Sequence, residues 1–194
     1  MPMQITFELS DSDLEHFRQV MISAREKSSS LDEATIIDSA RQLLSHVWNS
    51  ETSDFIRERM NRLETMIGMV TDKGWGLEDQ DRQRVLQALA YFSEPEDLIP
   101  DDIPGLGFLD DAIMIEMVTI ELTHENQAYR DFCVFRAAES SRTGEDASQG
   151  EGSEWLEERR KQLHSRMRRR RDRGGRIGGG GKGGSRFSLF SREL

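Results

Sequence analysis

A single cysteine, Cys133, stands in 194 residues. One thiol closes no internal disulfide and makes no four-cysteine zinc site, and it suits a reducing compartment. The first residues, MPMQITFELSDSD, have neither a basic region nor a long apolar run, so no secretory signal is expected there. No G-x-S-x-G elbow and no P-loop occurs. The run Gly178–Gly181 lacks the flanking strand and helix that a phosphate-cradling loop requires. No stretch is apolar for the ~20 residues a bilayer demands, because Asp110, Asp111, Glu116 and Glu121 interrupt the most apolar segment. These absences predict a soluble, cytoplasmic protein without a transmembrane span. They also argue against nucleophilic catalysis.

Charge is plentiful but uneven. Residues 1–150 carry 30 acids and 13 bases, a net of −17, whereas residues 151–194 carry 6 acids and 13 bases, a net of +7. An acidic body followed by a basic extension points to an anionic partner for the extension, or to its folding back on the body. Hydrophobic residues make up 36% of the chain, enough for a body of about 140 residues to bury roughly two thirds of its unfolded surface without metal or disulfide.

Helical periodicity dominates that body. Residues 4–9 read as a short strand or an extended lead-in, and Ser10 is a good N-cap before Asp11, Asp13 and Glu15. Leu14, Phe17, Met21 and Ala24 then form a first stripe, ended by Ser28–Ser30. A second helix begins near Asp32 with Ile37, Ala40, Leu44 and Val47. The third carries Ile56, Met60, Leu63, Ile67 and Val70 and stops at Gly74 and Gly76 around Trp75. The fourth runs from about Glu78 to Phe92. After Pro95, Pro100 and Pro104, which forbid regular helix, a fifth starts near Leu106 and reaches Ala138. Its stripe is Ile113, Met117, Ile120, His124, Ala128, Phe132 and Phe135. Apolar on several sides, it is expected at the centre. The spacing therefore predicts an all-α fold with a compact five-helix body over 1–138 and a proline-marked corner before the central helix.

That corner has a specific sequence, EPEDLIPDDIPGLGFLDDAIMI over residues 94–115. Asp97, Ile99, Pro100, Asp101, Ile103, Pro104, Gly107, Asp110 and Asp111 lie in a D-x-I-P-D-x-I-P-x-x-G-x-x-D-D arrangement. With the apolar, aromatic-ended ALAYF before it, this resembles the signature of the YkvA-like family over about residues 80–120. The resemblance implies a bacterial helical domain of unknown function, some of whose relatives look membrane-associated. It implies no established activity and no catalytic residues.

Physically, each proline pushes the preceding isoleucine out of helix, so Ile99 and Ile103 can plug into a core while the loop crosses a helix end. Asp110 and Asp111 suit the first turn of the following helix as caps and dipole partners. The alternative is a divalent-metal site, since Asp97, Asp101, Asp102, Asp110 and Asp111 are five carboxylates in fifteen residues. A second metal pattern is Glu121-x-x-His124, the i, i+3 pair of di-iron bundles, with Asp13-x-x-His16 as its nearest companion. Asp110 and Glu121 are about 16 Å apart along a helix, too far to share one ion. The corner reads as structural, with no cofactor expected.

The extension divides into an acidic flexible linker over 139–153, a basic amphipathic helix over 154–173 and a disordered Gly/Arg-rich tail over 174–194. The helix has Ser153 as N-cap and a thin stripe of Leu156, Leu163 and Met167. The polyanion-binding candidates are Arg159, Arg160, Lys161, Arg166, Arg168, Arg169, Arg170, Arg171, Arg173 and Arg176. Arginine with glycine suits RNA, where guanidinium supplies charge and stacking. Phe187, Leu189 and Phe190 near the end read as a docking peptide or a sticky end. The sequence thus predicts a non-enzymatic binding or adaptor protein, its acidic body meeting a protein partner and its basic extension meeting RNA, the ribosome or another polyanion. The alternatives are a metal-dependent helical enzyme using the Asp-rich corner and a peripheral membrane protein.

Overall fold

A computed structural model describes residues 8–28, 31–93, 99, 103, 106–143 and 154–177. Among these residues the chain is all-α: α1 (Asp11–Ser28), α2 (Glu33–Trp48), α3 (Asp54–Thr71), α4 (Asp79–Leu89), a 3₁₀ turn (Ala90–Ser93), α5 (Leu109–Glu121), α6 (Thr123–Thr143) and α7 (Glu154–Ile177). Most of the lead-in over 4–9, the linker from residue 144 to 153 and the tail beyond 177 lie outside the described residues.

The helix starts follow local chemistry. Ser10 Oγ accepts from the Asp13 amide at 3.3 Å while Asp13 Oδ2 accepts from the Ser10 amide at 2.8 Å. This reciprocal box satisfies two amides that the first turn of α1 would leave unmade. Asp32 caps α2 through the Thr35 amide at 2.7 Å, and Ser53 caps α3 through the Ile56 amide. α3 is the central pillar. Ile56, Met60, Leu63, Met66 and Met69 are fully buried on it, and it packs against α2, α4, α5 and α6. Each such side chain contributes about 1.5–3 kcal/mol of burial.

Two expectations need correction. The five-helix body is a six-helix one before residue 144, because the long fifth helix is two. The break falls at Leu122 (φ −96°, ψ 24°), which ends α5 and precedes α6. Its amide still bonds the Val118 carbonyl at 2.9 Å, and its own carbonyl accepts from the Asn126 amide at 2.8 Å. The Thr123 hydroxyl donates to the Ile120 carbonyl at 2.6 Å, offering that carbonyl a partner other than the next helical turn. The break re-phases the apolar stripe. Phe132 and Ala128 are buried as expected, but Ile120, one residue before the last of α5, is 44% exposed. At the corner, Ile103 is likewise exposed rather than plugged into the core, and Ile99 is half-buried. α6 continues to Thr143 and α7 to Ile177, both beyond the helical limits of 138 and 173 read from sequence.

The second correction concerns the basic helix, which is part of the fold. α7 runs antiparallel to α6. Trp155 meets Phe135 with ring centroids 5.6 Å apart near one end, and Arg171 bonds Glu125 at 3.0 Å near the other. Leu156, Leu163 and Met167 are as buried as any core residue. The centre of this packing is Trp75, fully buried in the α3–α4 turn. Its ring meets His164 of α7 at 4.2 Å, Phe132 of α6 at 5.1 Å and Tyr129 of α6 at 5.7 Å. Gly76 makes the turn possible: its φ is +52°, and a Cβ there would meet the Arg160 guanidinium and the Lys73 carbonyl.

Phe132→Ala should therefore cost about 3–5 kcal/mol of unfolding free energy, while Ile120→Ala should cost about 1 or less. Urea denaturation of both variants checks this; equal costs would mean that α5 and α6 are one continuous helix.

Candidate functional site

The corner residues Asp97, Pro100, Asp101, Asp102 and Pro104 lie outside the described residues. Gly107, Asp110 and Asp111 are placed, and all three are buried. The Gly107 amide donates to the Ile103 carbonyl at 2.8 Å, closing the turn into α5. Phe108 follows in the left-handed region at φ 65°, and no side chain caps α5 from that position. Asp110 Oδ2 instead accepts from the Ile99 amide at 3.1 Å. Its carboxylate thus ties the proline segment to α5 across eleven residues, a role beyond the expected contribution to the helix start. Among the described residues no group of three or more His, Cys, Asp or Glu side chains converges as a metal site would require.

Glu121 and His124 do not form an i, i+3 pair on one helix, because the break at Leu122 separates them. Glu121 Oε2 accepts from Arg25 of α1 at 2.6 Å, so its charge is already neutralised. His124 is half-buried in the first turn of α6. Asp13 and His16 lie near the start of α1, twelve and nine residues before Arg25. Asp13 is therefore about 18 Å of helix from the contact with Glu121.

The densest electrostatic cluster joins α4, α6 and α7. Asp81 and Glu125 are each 1% exposed. Asp81 Oδ2 accepts from Arg168 Nε at 2.8 Å and Asp81 Oδ1 from Arg171 Nη1 at 2.7 Å. Arg171 Nη1 also reaches Glu125 Oε1 at 3.0 Å, Arg84 Nε approaches the same oxygen at 3.3 Å, and Arg168 Nη2 pairs with Glu78 at 2.7 Å. Burial pushes the Asp81 carboxyl up, but the hydrogen bonds and charges of Arg171 and Arg168 outweigh it and hold it below the ordinary carboxylate value. An unpaired carboxylate buried this deeply would cost several kcal/mol. Arg166 adds a pair to Asp131 of α6. A neighbouring network is built on Asp72. Arg136 lies 2.8 Å from its Oδ2, Tyr129 donates to Oδ2 at 3.1 Å, and the Gly74 amide donates to Oδ1 at 2.9 Å.

Of the ten bases proposed to bind polyanion, Arg168 and Arg171 are therefore spent on the body. Arg160 lies against the Gly76 turn, and Lys161 pairs with Glu157 at 2.7 Å. Arg159 lies over the Phe135 ring at 5.2 Å. Arg169, Arg170 and Arg173 are exposed and pair with no carboxylate among the described residues. At about 100° per residue Arg169 and Arg173 turn away from the Leu163–Met167 stripe, whereas Arg170 lies one heptad after Leu163, beside it. Arg176 lies in the last turn of α7.

His164 is a residue the sequence did not single out. It is 6% exposed, and its Nε2 has no hydrogen-bond partner among the described residues. Burial lowers its pKa to about 4, helped by Arg168 and Arg160 and opposed by Asp81 and Glu78. A proton there would be buried beside the Trp75 ring, whose plane is nearly perpendicular to the imidazole. The only hints in the sequence are the position of His164 next to Leu163 and its three-residue spacing from Met167.

Two outcomes follow for α7. Arg171→Gln should destabilise the protein by about 2–4 kcal/mol, less than a fully buried pair because Arg171 is itself 22% exposed; Arg170→Gln should leave the urea midpoint unchanged. The His164 contribution runs with pH as follows. The unfolded imidazole binds a proton below about 6.5 and the folded one only near 4, so stability falls as pH drops through that window. The loss reaches about 3 kcal/mol. Unfolding curves between pH 7 and 4 for the wild type and His164→Gln check it: the variant should lose this part of the slope.

Neither a curated protein nor a solved structure matches the chain. A family model described as a protein of unknown function (DUF1232) matches residues 84–117. The matched stretch takes in the second half of α4, the 3₁₀ turn, the proline corner and α5 as far as Met117. Over this segment, then, the chain carries the signature of a helical domain of unknown function.

Proposed function

We propose that the protein is a non-enzymatic binding protein that holds a phosphate-rich polymer, single-stranded RNA first among them, on the outward face of α7. The segment around the corner is read as YkvA-like on its I-P-D-x-I-P and Asp110–Asp111 pattern, and it serves as scaffold. The observation that carries the reading is the arginine stripe. Arg169, Arg170 and Arg173 are exposed and pair with no carboxylate among the described residues, while their neighbours Arg168 and Arg171 pin the helix down. A rigid row of guanidinium groups offers charge and stacking surfaces without ordering a free chain on binding.

The net charge of −10 opposes a polyanion at long range. Screening limits this, because the Debye length is about 8 Å at physiological salt, so acids on the far side of the body contribute little at the stripe. Binding should be weak and largely indifferent to sequence, as phosphate contacts carry no base readout.

Three free arginines predict a salt slope of about −2 for a single strand, from roughly −0.7 per phosphate neutralised, with any contribution of Lys182, Arg186 and Arg192 added to it. Fluorescence anisotropy of a labelled oligouridine at several salt concentrations tests this. The triple variant Arg169→Gln, Arg170→Gln, Arg173→Gln should flatten the slope by about 2 units and leave the unfolding midpoint unchanged. An unaltered slope, or no binding by wild type at low salt, would refute the reading.

A further inference from the structure

A cavity of about 430 Å³ lies between α4 and the C-terminal half of α7, lined by Gln80, Gln83, Arg84, Gln87, Arg171 and Asp172. Its volume falls within the roughly 300–1,000 Å³ of small-molecule sites, yet every lining side chain is polar. Gln80, Gln83, Arg84 and Gln87 follow the i, i+3, i+4, i+7 spacing that places them in one row along α4. The row is about 10 Å long. All three glutamines are exposed, and their side-chain amides make no hydrogen bond among the described residues. Gln19 and Gln162, by contrast, are tied to Glu15 and Glu158.

The positive charge in this groove is already used. Arg171 Nη1 bonds Asp81 at 2.7 Å and Glu125 at 3.0 Å, and Arg84 Nε lies 3.3 Å from Glu125. Both guanidinium groups are thereby held in place, and what they still offer an occupant is planar surface on which a ring can stack. Asp172 is exposed and pairs with no cation among the described residues. A carboxylate there repels a phosphate and accepts from an amino group. Free amides, neutralised guanidinium planes and one open carboxylate together suit a flat, uncharged ring that carries an exocyclic amine.

The groove also adjoins the exposed arginines. Asp172 directly precedes Arg173 and follows Arg169 by three residues, a spacing that makes neighbours on a helix surface. A strand whose phosphates follow Arg169 and Arg173 thus runs along the groove's edge. At about 3.4 Å per nucleotide, the row from Gln80 to Gln87 matches about three bases.

We infer that the α4–α7 groove takes the bases of a single-stranded RNA whose phosphates lie on α7, and that it prefers adenine. The inference rests on the polyanion reading and adds base recognition to it. A glutamine carboxamide presents an acceptor and a donor side by side, which matches the N6 amine and N7 of adenine in a bidentate pair. Uracil brings no amine to Asp172.

Fluorescence anisotropy of the full chain with labelled oligoadenosine, oligouridine and oligoinosine of equal length tests this. Wild type should bind oligoadenosine about tenfold more tightly than oligouridine, the discrimination of one well-made bidentate pair. Oligoinosine, in which a carbonyl replaces the amine, should bind like oligouridine. Gln80→Ala with Gln83→Ala and Gln87→Ala should bring the three affinities together while the salt slope and the unfolding midpoint stay those of wild type. Arg169→Gln with Arg173→Gln should do the reverse, flattening the slope while the ratio of oligoadenosine to oligouridine affinity persists. Equal wild-type affinities for oligoadenosine and oligouridine, or an adenine preference that survives the glutamine variant, would overturn the inference and leave the polyanion reading standing on its slope. Oligoinosine bound as tightly as oligoadenosine would assign the preference to purine stacking and overturn it equally. No binding of any oligonucleotide at low salt would refute both readings.

Discussion

Two carboxylates sealed inside the protein, Asp81 and Glu125, set the terms for everything around them. Each is 1% exposed, and burying an ion without a counter-charge costs several kcal/mol. α4 and α6 bring these acids together, and Arg84 of α4 approaches Glu125. The remaining compensation comes from Arg168 and Arg171, 87 and 90 residues after Asp81 along the chain. The body and the basic helix are thus one electrostatic unit. Apolar packing reinforces it, because the same face of α7 that carries the two arginines also carries Leu163, His164 and Met167 onto Trp75 and Phe132.

This division of labour within one arginine run explains how an acidic protein can keep a basic surface. In Arg168–Arg171 the first and last residues, three apart on one face, reach buried carboxylates, and the middle two are exposed. The exposed pair continues with Arg173 as a stripe facing solvent. A disordered tail with the same composition would make no such distinction, and all its charges would be equally available to the body's net −17 over residues 1–150. Docking fixes which charges are used internally and which stay exposed.

The all-α class and the stripes of α1 to α4 were legible because each helix carries its own period and α1 to α3 their own side-chain caps. Met21, Ala40, Leu63 and Val85 are buried where the repeat puts them. The split at Leu122 was not legible, since Leu122 and Thr123 are both compatible with a continuous helix. The break shows only in the rotation that brings Phe132 inside and leaves Ile120 out. The corner motif was recognisable as a motif, yet the bond from Asp110 to the Ile99 amide depends on a loop path that no periodicity encodes. Asp81 was the least visible. It sits in the first turn of α4, where an acid is ordinarily a solvated dipole partner, and its partners are long-range. Arg168 and Arg171 carried the right chemistry, but a charge run does not say which of its members turn inward.

Native-state hydrogen exchange on the full chain tests the central claim, that α7 belongs to the core, most directly. If α7 unfolds only with the body, the amides of Leu163 to Met167 should show opening free energies close to those of Met60 to Ile67 in α3. Amides in α7 that exchange at the rate of an unstructured peptide, while α3 remains protected, would contradict it.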